Sequence, residues 1–168
     1  MLIRSEAADD AEAIAGVIER AFADHPQSDQ TEHHIVNVLR AAGALSVSLV
    51  AAGGERIVGH VAFSPIRISD GRQQWFGLGP VAVEPLLQRQ GIGTALIEAG
   101  LARLRSAGAQ GCVVFGNPAY YCRFGFASHD ALVYPGAPPG YFMARSFSSA
   151  VPRGEVSYHS AFAADRDA

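Results

Sequence analysis

The stretch that decides the fold is VAVEPLLQRQGIGTALIEAGLARLRSA, residues 81–107, which reads as a strand, a loop and a helix. The apolar, β-branched run ends near Val83, because Pro85 has no N–H for a strand ladder and restricts the backbone of Glu84 before it. Apolar residues then recur at helical spacing over residues 94–107. The positions that share one stripe of this helix are Ile97, Leu101, Leu104 and Gly108. The pattern predicts a strand, a tight loop and an amphipathic helix that packs on the sheet.

The loop between this strand and this helix carries two glycines, two positions apart, in Gln88-Arg89-Gln90-Gly91-Ile92-Gly93-Thr94. The first N–H groups of a helix lack internal partners and lie at the positive end of its dipole. A glycine-lined entry to the helix therefore lets a phosphate approach the backbone closely. We interpret the loop as a phosphate-binding site; a glycine-rich turn without a ligand is the alternative that so short a motif leaves open.

Two well-known phosphate loops do not fit this stretch. The nucleoside-triphosphate loop needs a lysine after its last glycine, but all 13 basic residues of the chain are arginine. The dinucleotide loop needs a third small residue where Leu96 stands, and an acidic residue where Gly111-Cys112-Val113 lies. Both of these classes of nucleotide site are excluded.

The loop is similar to the Gln/Arg-x-x-Gly-x-Gly/Ala signature of the GNAT acetyltransferase superfamily, which also follows an apolar strand. A second motif of that superfamily, an aromatic residue followed by Tyr-x-x-x-Gly-Phe, is matched by Tyr120-Tyr121-Cys122-Arg123-Phe124-Gly125-Phe126. Together with Asn117-Pro118-Ala119, these motifs resemble a bacterial subgroup of predicted N-acetyltransferases. The resemblance covers most of residues 1–165.

The chain has the size and composition of a single domain. Its 168 residues are 49% hydrophobic and 17% charged, a profile typical of a compact core. Residues 46–52 and 56–63 flank a Gly53-Gly54 turn and predict a hairpin. Gly111–Phe115 should lie parallel to the central strand, since a helical crossover joins them. With the resemblance, we predict one GNAT-like α/β (α+β) domain over residues 1–168. It has a mixed, mostly antiparallel central sheet, a splayed parallel pair and about four flanking helices.

Two helices are predicted ahead of the hairpin, and two strands close the chain. Asp9 and Glu12 form a capping-box pattern at the start of the first helix. Thr31 has the residue type of a cap for the second helix. Residues 141–145 and 154–158 are predicted as closing strands.

Charge and hydropathy exclude several classes of partner. A net charge of −3 and the absence of an arginine run disfavour a nucleic-acid partner. No stretch approaches the roughly 18 apolar residues of a membrane span, and the first residues lack the apolar segment of a signal peptide. We therefore expect no membrane partner and a cytoplasmic location.

No metal site is predicted. Cys112 and Cys122 are too few for a zinc cluster, and Cys112 lies inside an apolar strand where free cysteine packs as a small hydrophobe. His33 and His34 point about 100° apart on a helix, and no third ligand is close in sequence. A solvated or substrate-facing histidine pair is the better interpretation.

The resemblance implies acetyl-CoA (coenzyme A) as the cosubstrate. Its pyrophosphate would lie on the backbone of residues 88–94, and its pantetheine arm would pair with the main chain around Val81 and Val83. Asn117 and Tyr120 lie where members of the superfamily contact the rest of the arm. Elementary chemistry agrees, because a pyrophosphate binds N–H donors and a pantetheine amide pairs with a free strand edge.

The resemblance also implies direct attack of a neutral amine on the thioester carbonyl. Tyr121 matches the tyrosine that protonates the leaving thiolate in the superfamily; packing against the cofactor is the alternative. No base is as clear. Glu84 is the first candidate, with a water chain and His60 behind it, and a plain solvated turn is the alternative for Glu84.

An acceptor cleft is expected between residues 24–34 and the 134–147 loop. Glu32, His33 and Tyr134 would meet a cationic amine there. The residues do not distinguish a small-molecule amine from a protein acceptor, and a homodimer formed through the C-terminal strands is left open.

Three classes of function remain. The first is an N-acetyltransferase acting on a primary amine of an unidentified acceptor. The second is an acyl-CoA-binding sensor or interaction module with this fold and no turnover. The third is an unrelated α/β nucleotide binder. Tyr121 favours the first class over the second, because a module without turnover has no need of a proton donor.

Overall fold

The computed structural model of the protein describes residues 1–26, 28–148 and 150–163. Within them, the strands are β1 (Leu2–Ser5), β2 (Val47–Gly53), β3 (Arg56–Pro65), β4 (Arg67–Ile68), β5 (Trp75–Val83), β6 (Gly111–Phe115), β7 (Leu132–Val133), β8 (Phe142–Ser146) and β9 (Gly154–Ser157). The helices are α1 (Ala11–Phe22), α2 (Glu32–Ala41), α3 (Ile92–Ser106) and α4 (Pro118–Tyr121). Short 3-10 turns are Ala8–Asp10, Pro85–Leu87, Cys122–Phe124 and Ser160–Ala163.

The central sheet of the described residues has six strands in the order β1-β2-β3-β5-β6-β8. Neighbouring strands are antiparallel except for β5 and β6, which are parallel. The β2–β3 hairpin turns at Gly54, whose φ of +66° suits glycine. The helix α3 is the crossover that makes β5 and β6 parallel. The predicted mostly antiparallel sheet with one parallel pair is confirmed.

One face of the central sheet is covered by α3. Side chains alternate between the faces along a strand, and Val61 and Phe63 of β3 point into the cluster that α3 forms with the sheet. The α3 residues buried in this cluster are Ile92, Leu96, Ile97, Leu101 and Leu104. Gly100 faces the ring of Phe63 so closely that a Cβ atom there would overlap it. The predicted apolar stripe of the helix therefore packs on the sheet.

The opposite face is covered by two separate structures. The helices α1 and α2 pack on Val50, Ala62 and Ala82. A second sheet, of order β4-β9-β7 in the described residues, packs with Trp75 and Val113. The predicted closing strand over residues 154–158 is β9 of this second sheet. The second sheet itself was not predicted from the sequence.

The predicted capping pattern of the first helix is wrong, whereas the second helix does begin directly after Thr31 but without a side-chain cap. A 3-10 turn precedes α1, and the carboxylate of Asp10, not of Asp9 or Glu12, accepts a hydrogen bond from the N–H of Ala7 at 2.6 Å. The hydroxyl of Thr31 donates to Asp29 at 2.6 Å and does not bond the α2 backbone. In both cases a neighbouring polar side chain competes with the cap that the spacing predicts.

Candidate active site

The parallel pair diverges part-way along β5. In the described residues β6 pairs with β5 only from Trp75 to Gly77. Beyond that point β5 continues to Val83, paired on its other side with β3. The edge of β5 that faces β6 therefore has main-chain groups free to bond an extended ligand. The side chains of Val81 and Val83 pack on the α3 side of the sheet.

The loop after β5 presents unpaired amides at the start of α3. The first hydrogen bond of the helix runs from Ala95 N–H to Gly91 O at 3.0 Å, so the amides of residues 92–94 have no acceptor within the helix. Arg89 and Gly91 have φ of +64° and +87°, which turns successive amides toward one side of the loop. Residues 88–91 are exposed. The loop has the geometry of an anion-binding site.

Two contacts tie this loop to its surroundings. The side chain of Gln88 donates to the carbonyl of Val83 at 3.1 Å, so its amide group stabilises the exit from the strand. A Cβ at Gly93 would lie 3.3 Å from the Tyr120 hydroxyl and 3.7 Å from Val83. The glycine loop and the motif that begins at Tyr120 therefore meet at Gly93, which lies 27 positions before Tyr120 in the chain.

The helix α4 carries two aromatic site residues. Its start is capped by Asn117, whose side-chain oxygen accepts from Ala119 N–H at 2.9 Å. The rings of Tyr120 and Tyr121 meet edge to face at 5.0 Å, and the Arg123 guanidinium lies 4.6 Å from the Tyr120 ring centroid. Burial raises the pKa of Tyr121 to about 12, so Tyr121 is a neutral phenol that keeps its proton for donation.

Glu84 is held in an ion pair. Its carboxylate accepts from Nε of Arg20 at 2.9 Å and 3.2 Å, and Arg56 lies 3.6 Å away. The Arg20 hydrogen bond lowers the pKa of Glu84, which makes this carboxylate a weaker base. The geometry therefore disfavours the proton-accepting role that the sequence suggested for Glu84, since no oxygen of the carboxylate is free of arginine.

His60 lies fully buried beneath α1 and α2, cross-strand from Ala82. Its Nε2 is 2.8 Å from the Ser48 hydroxyl, which donates to Glu6, and Glu6 is paired with Arg40 at 2.8 Å. Burial lowers the pKa of His60 to about 4. The imidazole is thus neutral near neutral pH, and no described contact joins it to Glu84.

Comparisons with known proteins agree with this geometry. The model of the acetyltransferase (GNAT) domain family matches residues 2–128. The chain belongs to the GNAT acetyltransferase family. The predicted GNAT membership, the fold class and the assignment as an acetyltransferase are confirmed.

Relatives of this GNAT protein match over nearly their full lengths. It is 37% identical to the uncharacterized N-acetyltransferase YhbS of Escherichia coli, over 96% of this chain and 98% of YhbS. A GNAT family acetyltransferase from Brucella melitensis in complex with acetyl-CoA superposes with a TM-score of 0.87 at 46% identity, covering 96% and 97% of the two chains. The structure of YhbS in complex with CoA has a TM-score of 0.86 at 35% identity, covering 96% and 91%.

The sequence missed one residue at the point of divergence in this GNAT protein. The ring of Tyr158 lies over Gly77, where a Cβ would be 2.6 Å from it, and contacts Tyr134 at 5.0 Å between centroids. The turn Ser160–Ala163 then contacts α2. A tyrosine just after a short strand carries no motif, so only the folded chain brings it to this site.

The predicted acceptor residues lie on the elements expected to border the cleft. Glu32, at the start of α2, accepts a hydrogen bond from Ser28 at 2.7 Å, and His33 beside it is partly buried. Tyr134 follows β7 and packs against Phe142 and Tyr158. The structure therefore joins Tyr134 to the C-terminal segment that touches α2. Contact of Glu32 or His33 with an acceptor stays a prediction.

Among the described residues, no group of three or more His, Cys, Asp or Glu side chains could hold a metal ion. Cys112 is buried in β6, where burial raises the pKa of its thiol, and Cys122 is exposed. Within the same part of the chain, every helix is too short or too polar to cross a membrane.

Proposed function

We propose that this protein transfers the acetyl group of acetyl-CoA to a primary amine by direct attack of the amine on the thioester. The observation that carries the proposal is the free edge of β5 leading into unpaired amides at the start of α3. Such an edge and such amides suit a pantetheine arm and a pyrophosphate in that order. Two of the similar structures hold acetyl-CoA or CoA, which supports the same cosubstrate here.

In this proposal the pyrophosphate binds the backbone of residues 88–94, with Gly91 and Gly93 allowing its close approach. The pantetheine arm pairs with the main chain at Val81 and Val83. Tyr120 borders both groups, because its hydroxyl lies beside Gly93. Asn117 acts there mainly by capping α4, since its side-chain oxygen already accepts a backbone N–H.

The reaction forms one bond and breaks another. The lone pair of the amine forms the C–N bond, and the C–S bond breaks to release the CoA thiolate. Tyr121 gives its proton to this thiolate and regains one that the amine releases to water, so charge and protons balance. A phenol of raised pKa is a weak acid toward a thiolate of pKa about 8 to 9, so the transfer depends on close placement of the hydroxyl beside the sulfur.

When the C–N bond forms, the nitrogen becomes positively charged. It loses this charge by releasing a proton to water rather than to Glu84. The ion pair with Arg20 and Arg56 supports this choice of route. Glu84 is then a structural anchor that ties the end of β5 to α1.

Two measurements test the proposed function. Calorimetry with CoA tests the cofactor site, and mass spectrometry of an amine panel incubated with acetyl-CoA tests transfer. We expect CoA to bind and at least one primary amine to gain an acetyl group. Failure to bind CoA would reject the cofactor site, whereas CoA binding without transfer to any amine or protein would favour the sensor alternative.

A further inference from the structure

The vertex where β5 and β6 diverge is unusual on the face opposite α3. Gly77 is the last β5 residue paired with β6, and Ser64 of β3 lies directly across from it. A Cβ at Gly77 would be 2.6 Å from the Tyr158 ring and 3.2 Å from a methyl group of Ile66. Gly77 therefore leaves the space that Tyr158 fills, and the C-terminal segment reaches the vertex itself.

Two hydroxyl groups near this vertex are buried without a partner. In the described residues, the buried side-chain atoms with no hydrogen bond are Nδ1 of His60, Oγ of Ser64, Nε1 of Trp75 and the hydroxyl of Tyr158. Ser64 is completely buried, and the Tyr158 hydroxyl is buried although the residue as a whole is partly exposed. A buried hydroxyl without a partner destabilises the fold, because it loses its hydrogen bonds to water. An unpaired polar group beside a reaction site has a hydrogen bond to offer to a partner that arrives with a substrate.

An aromatic surface leads from the outside to this vertex. Phe115, the last residue of β6, is 47% exposed and meets Tyr134 edge to face at 5.8 Å. Tyr134 meets Tyr158 in the same way at 5.0 Å, and Phe162 lies 5.2 Å beyond Tyr158. We call Phe115, Tyr134, Tyr158 and Phe162 the aromatic wall. None of its members carries a charge.

We propose that the acceptor amine binds on this face of the sheet, with its N–H donating to the Tyr158 hydroxyl and its apolar body lying against the aromatic wall. This inference rests on the proposed acetyl transfer. It assigns the acceptor to alkyl- and arylalkylamines that have no carboxylate beside the amine. A carboxylate there would lie among uncharged rings without a partner, which is costly.

The geometry gives Tyr158 a binding role separate from that of Tyr121. A hydrogen bond from an N–H of the neutral amine to Tyr158 orients the nitrogen and leaves its lone pair free for attack on the thioester. The amine nitrogen then forms the C–N bond as the C–S bond breaks, and Tyr121 protonates the thiolate. Burial raises the pKa of Tyr158 well above its usual value, so Tyr158 keeps its own proton throughout. Ser64, across the strand from Gly77, carries the second buried hydroxyl without a hydrogen bond in the described residues.

The test compares amines in the wild type and in two variants. Phenethylamine and hexylamine represent the proposed class, and alanine and spermidine represent the charged alternatives. We expect kcat/KM for phenethylamine to exceed that for alanine and spermidine by about tenfold or more, the loss that an unpaired buried charge or polar group implies. Tyr158→Phe should lower kcat/KM for phenethylamine about tenfold, as loss of one hydrogen bond does, while Kd for CoA stays within about twofold.

Thermal unfolding separates binding from structure. Because the Tyr158 hydroxyl has no hydrogen-bond partner among residues 1–26, 28–148 and 150–163, Tyr158→Phe should leave Tm unchanged or raise it. A structural hydroxyl would lower Tm instead. Ser64→Ala should behave like Tyr158→Phe with a smaller loss of kcat/KM. Ser106→Ala, at the exposed end of α3, is the matched control and should change neither kcat/KM nor Tm.

Calorimetry of phenethylamine with the CoA-saturated protein keeps the test independent of turnover. Binding that Tyr158→Phe weakens about tenfold supports the inference. Absence of binding, an unchanged Kd in the variant, or a preference for alanine or spermidine would overturn it. If CoA itself does not bind, the proposed function fails as well, and the two failures are thereby distinguished.

Discussion

The two faces of the central sheet are built in different ways. On the face that α3 covers, one apolar cluster extends from β2 to β8, and the polar loop groups lie at the exposed start of the helix. On the opposite face the core divides into a cluster under α1 and α2 and a cluster under the second sheet. The continuous cluster fits a rigid support for the cofactor. The divided face fits a surface that binds the acceptor.

The unpaired polar atoms sharpen this contrast. Those of the described residues belong to His60, Ser64, Trp75 and Tyr158, and all four lie on the divided face or against it. Packing alone does not favour such groups, because each one loses hydrogen bonds to water. We therefore expect substitutions on the α3 face to affect the cofactor side and stability, and substitutions on the divided face to affect acceptor binding and pH dependence.

The largest effect is expected for Tyr121→Phe. Loss of a positioned proton donor should lower kcat by roughly 10²–10⁴-fold, with Kd for CoA within a few-fold of wild type. Steady-state kinetics with an accepted amine and calorimetry with CoA provide the two values. Equal losses in kcat and in CoA affinity would indicate that the ring serves only to pack the cofactor.

The buried histidine should make the divided face sensitive to acid. Burial lowers the pKa of His60 to about 4, against 6.5 for a free histidine. The unfolded chain therefore binds a proton more readily than the folded chain does. The stability that neutral His60 contributes is complete above pH 6.5 and is lost as pH falls from 6.5 toward 4. The pKa difference corresponds to about 3 kcal/mol of unfolding free energy.

Urea unfolding at a series of pH values between 7 and 4 would measure this loss. The His60→Leu variant should lack the slope in that interval, whatever its absolute stability. Glu6 and Arg40 are the ionised groups nearest to His60, and both remain in the wild type and in the variant. Parallel curves for wild type and variant would show that the imidazole titrates normally in the fold.

A pair of glycine substitutions compares the packing of the two faces. Gly100→Ala places a methyl group against Phe63, and the overpacking should outweigh the gain in helix propensity and cost about 1–2 kcal/mol. Gly16→Ala in α1 is the matched change, because its Cβ would meet only the guanidinium end of the half-exposed Arg20 side chain, at 3.0 Å. It should be neutral or stabilise by up to about 1 kcal/mol. Chemical denaturation measures both, and equal signs would mean that the site of Gly100 is no more tightly packed than that of Gly16.

The smallest effect is expected for Glu84→Gln. If Glu84 is the structural anchor of the Arg20 ion pair, kcat should stay within about threefold of wild type, since general-base catalysis is worth roughly 10²–10⁴-fold and none of it is lost. The pH profile of kcat should keep its shape. If kcat instead falls strongly and recovers at high pH, Glu84 is the base after all.

The fold of residues 75–126 and the cofactor side were predictable because their signals are local. The strand before Glu84, the glycine loop, α3, β6 and α4 follow one another in the chain, so periodicity and turn residues report them directly. The meeting of Gly93 with Tyr120 follows from that order, since a crossover helix returns the chain to the neighbouring strand.

Helix caps and ion pairs were less predictable. Asp10 displaces Asp9 and Glu12 at the start of α1, because a 3-10 turn shifts the register of the cap. Glu84 is joined to Arg20, 64 positions away in the chain, and nothing in the local sequence distinguishes a paired carboxylate from a free one. The sequence therefore indicated a candidate base at a carboxylate that the fold pairs with arginine.

By itself, the sequence determined the family, the central sheet and the glycine loop, because each depends on residues that lie close together in the chain. Only the tertiary structure decided what stands on the other side of the sheet. There the chain brings together Ser64, Gly77 and Tyr158 across more than 90 positions. Such contacts are selected by long-range packing, which leaves no periodic signal in the sequence.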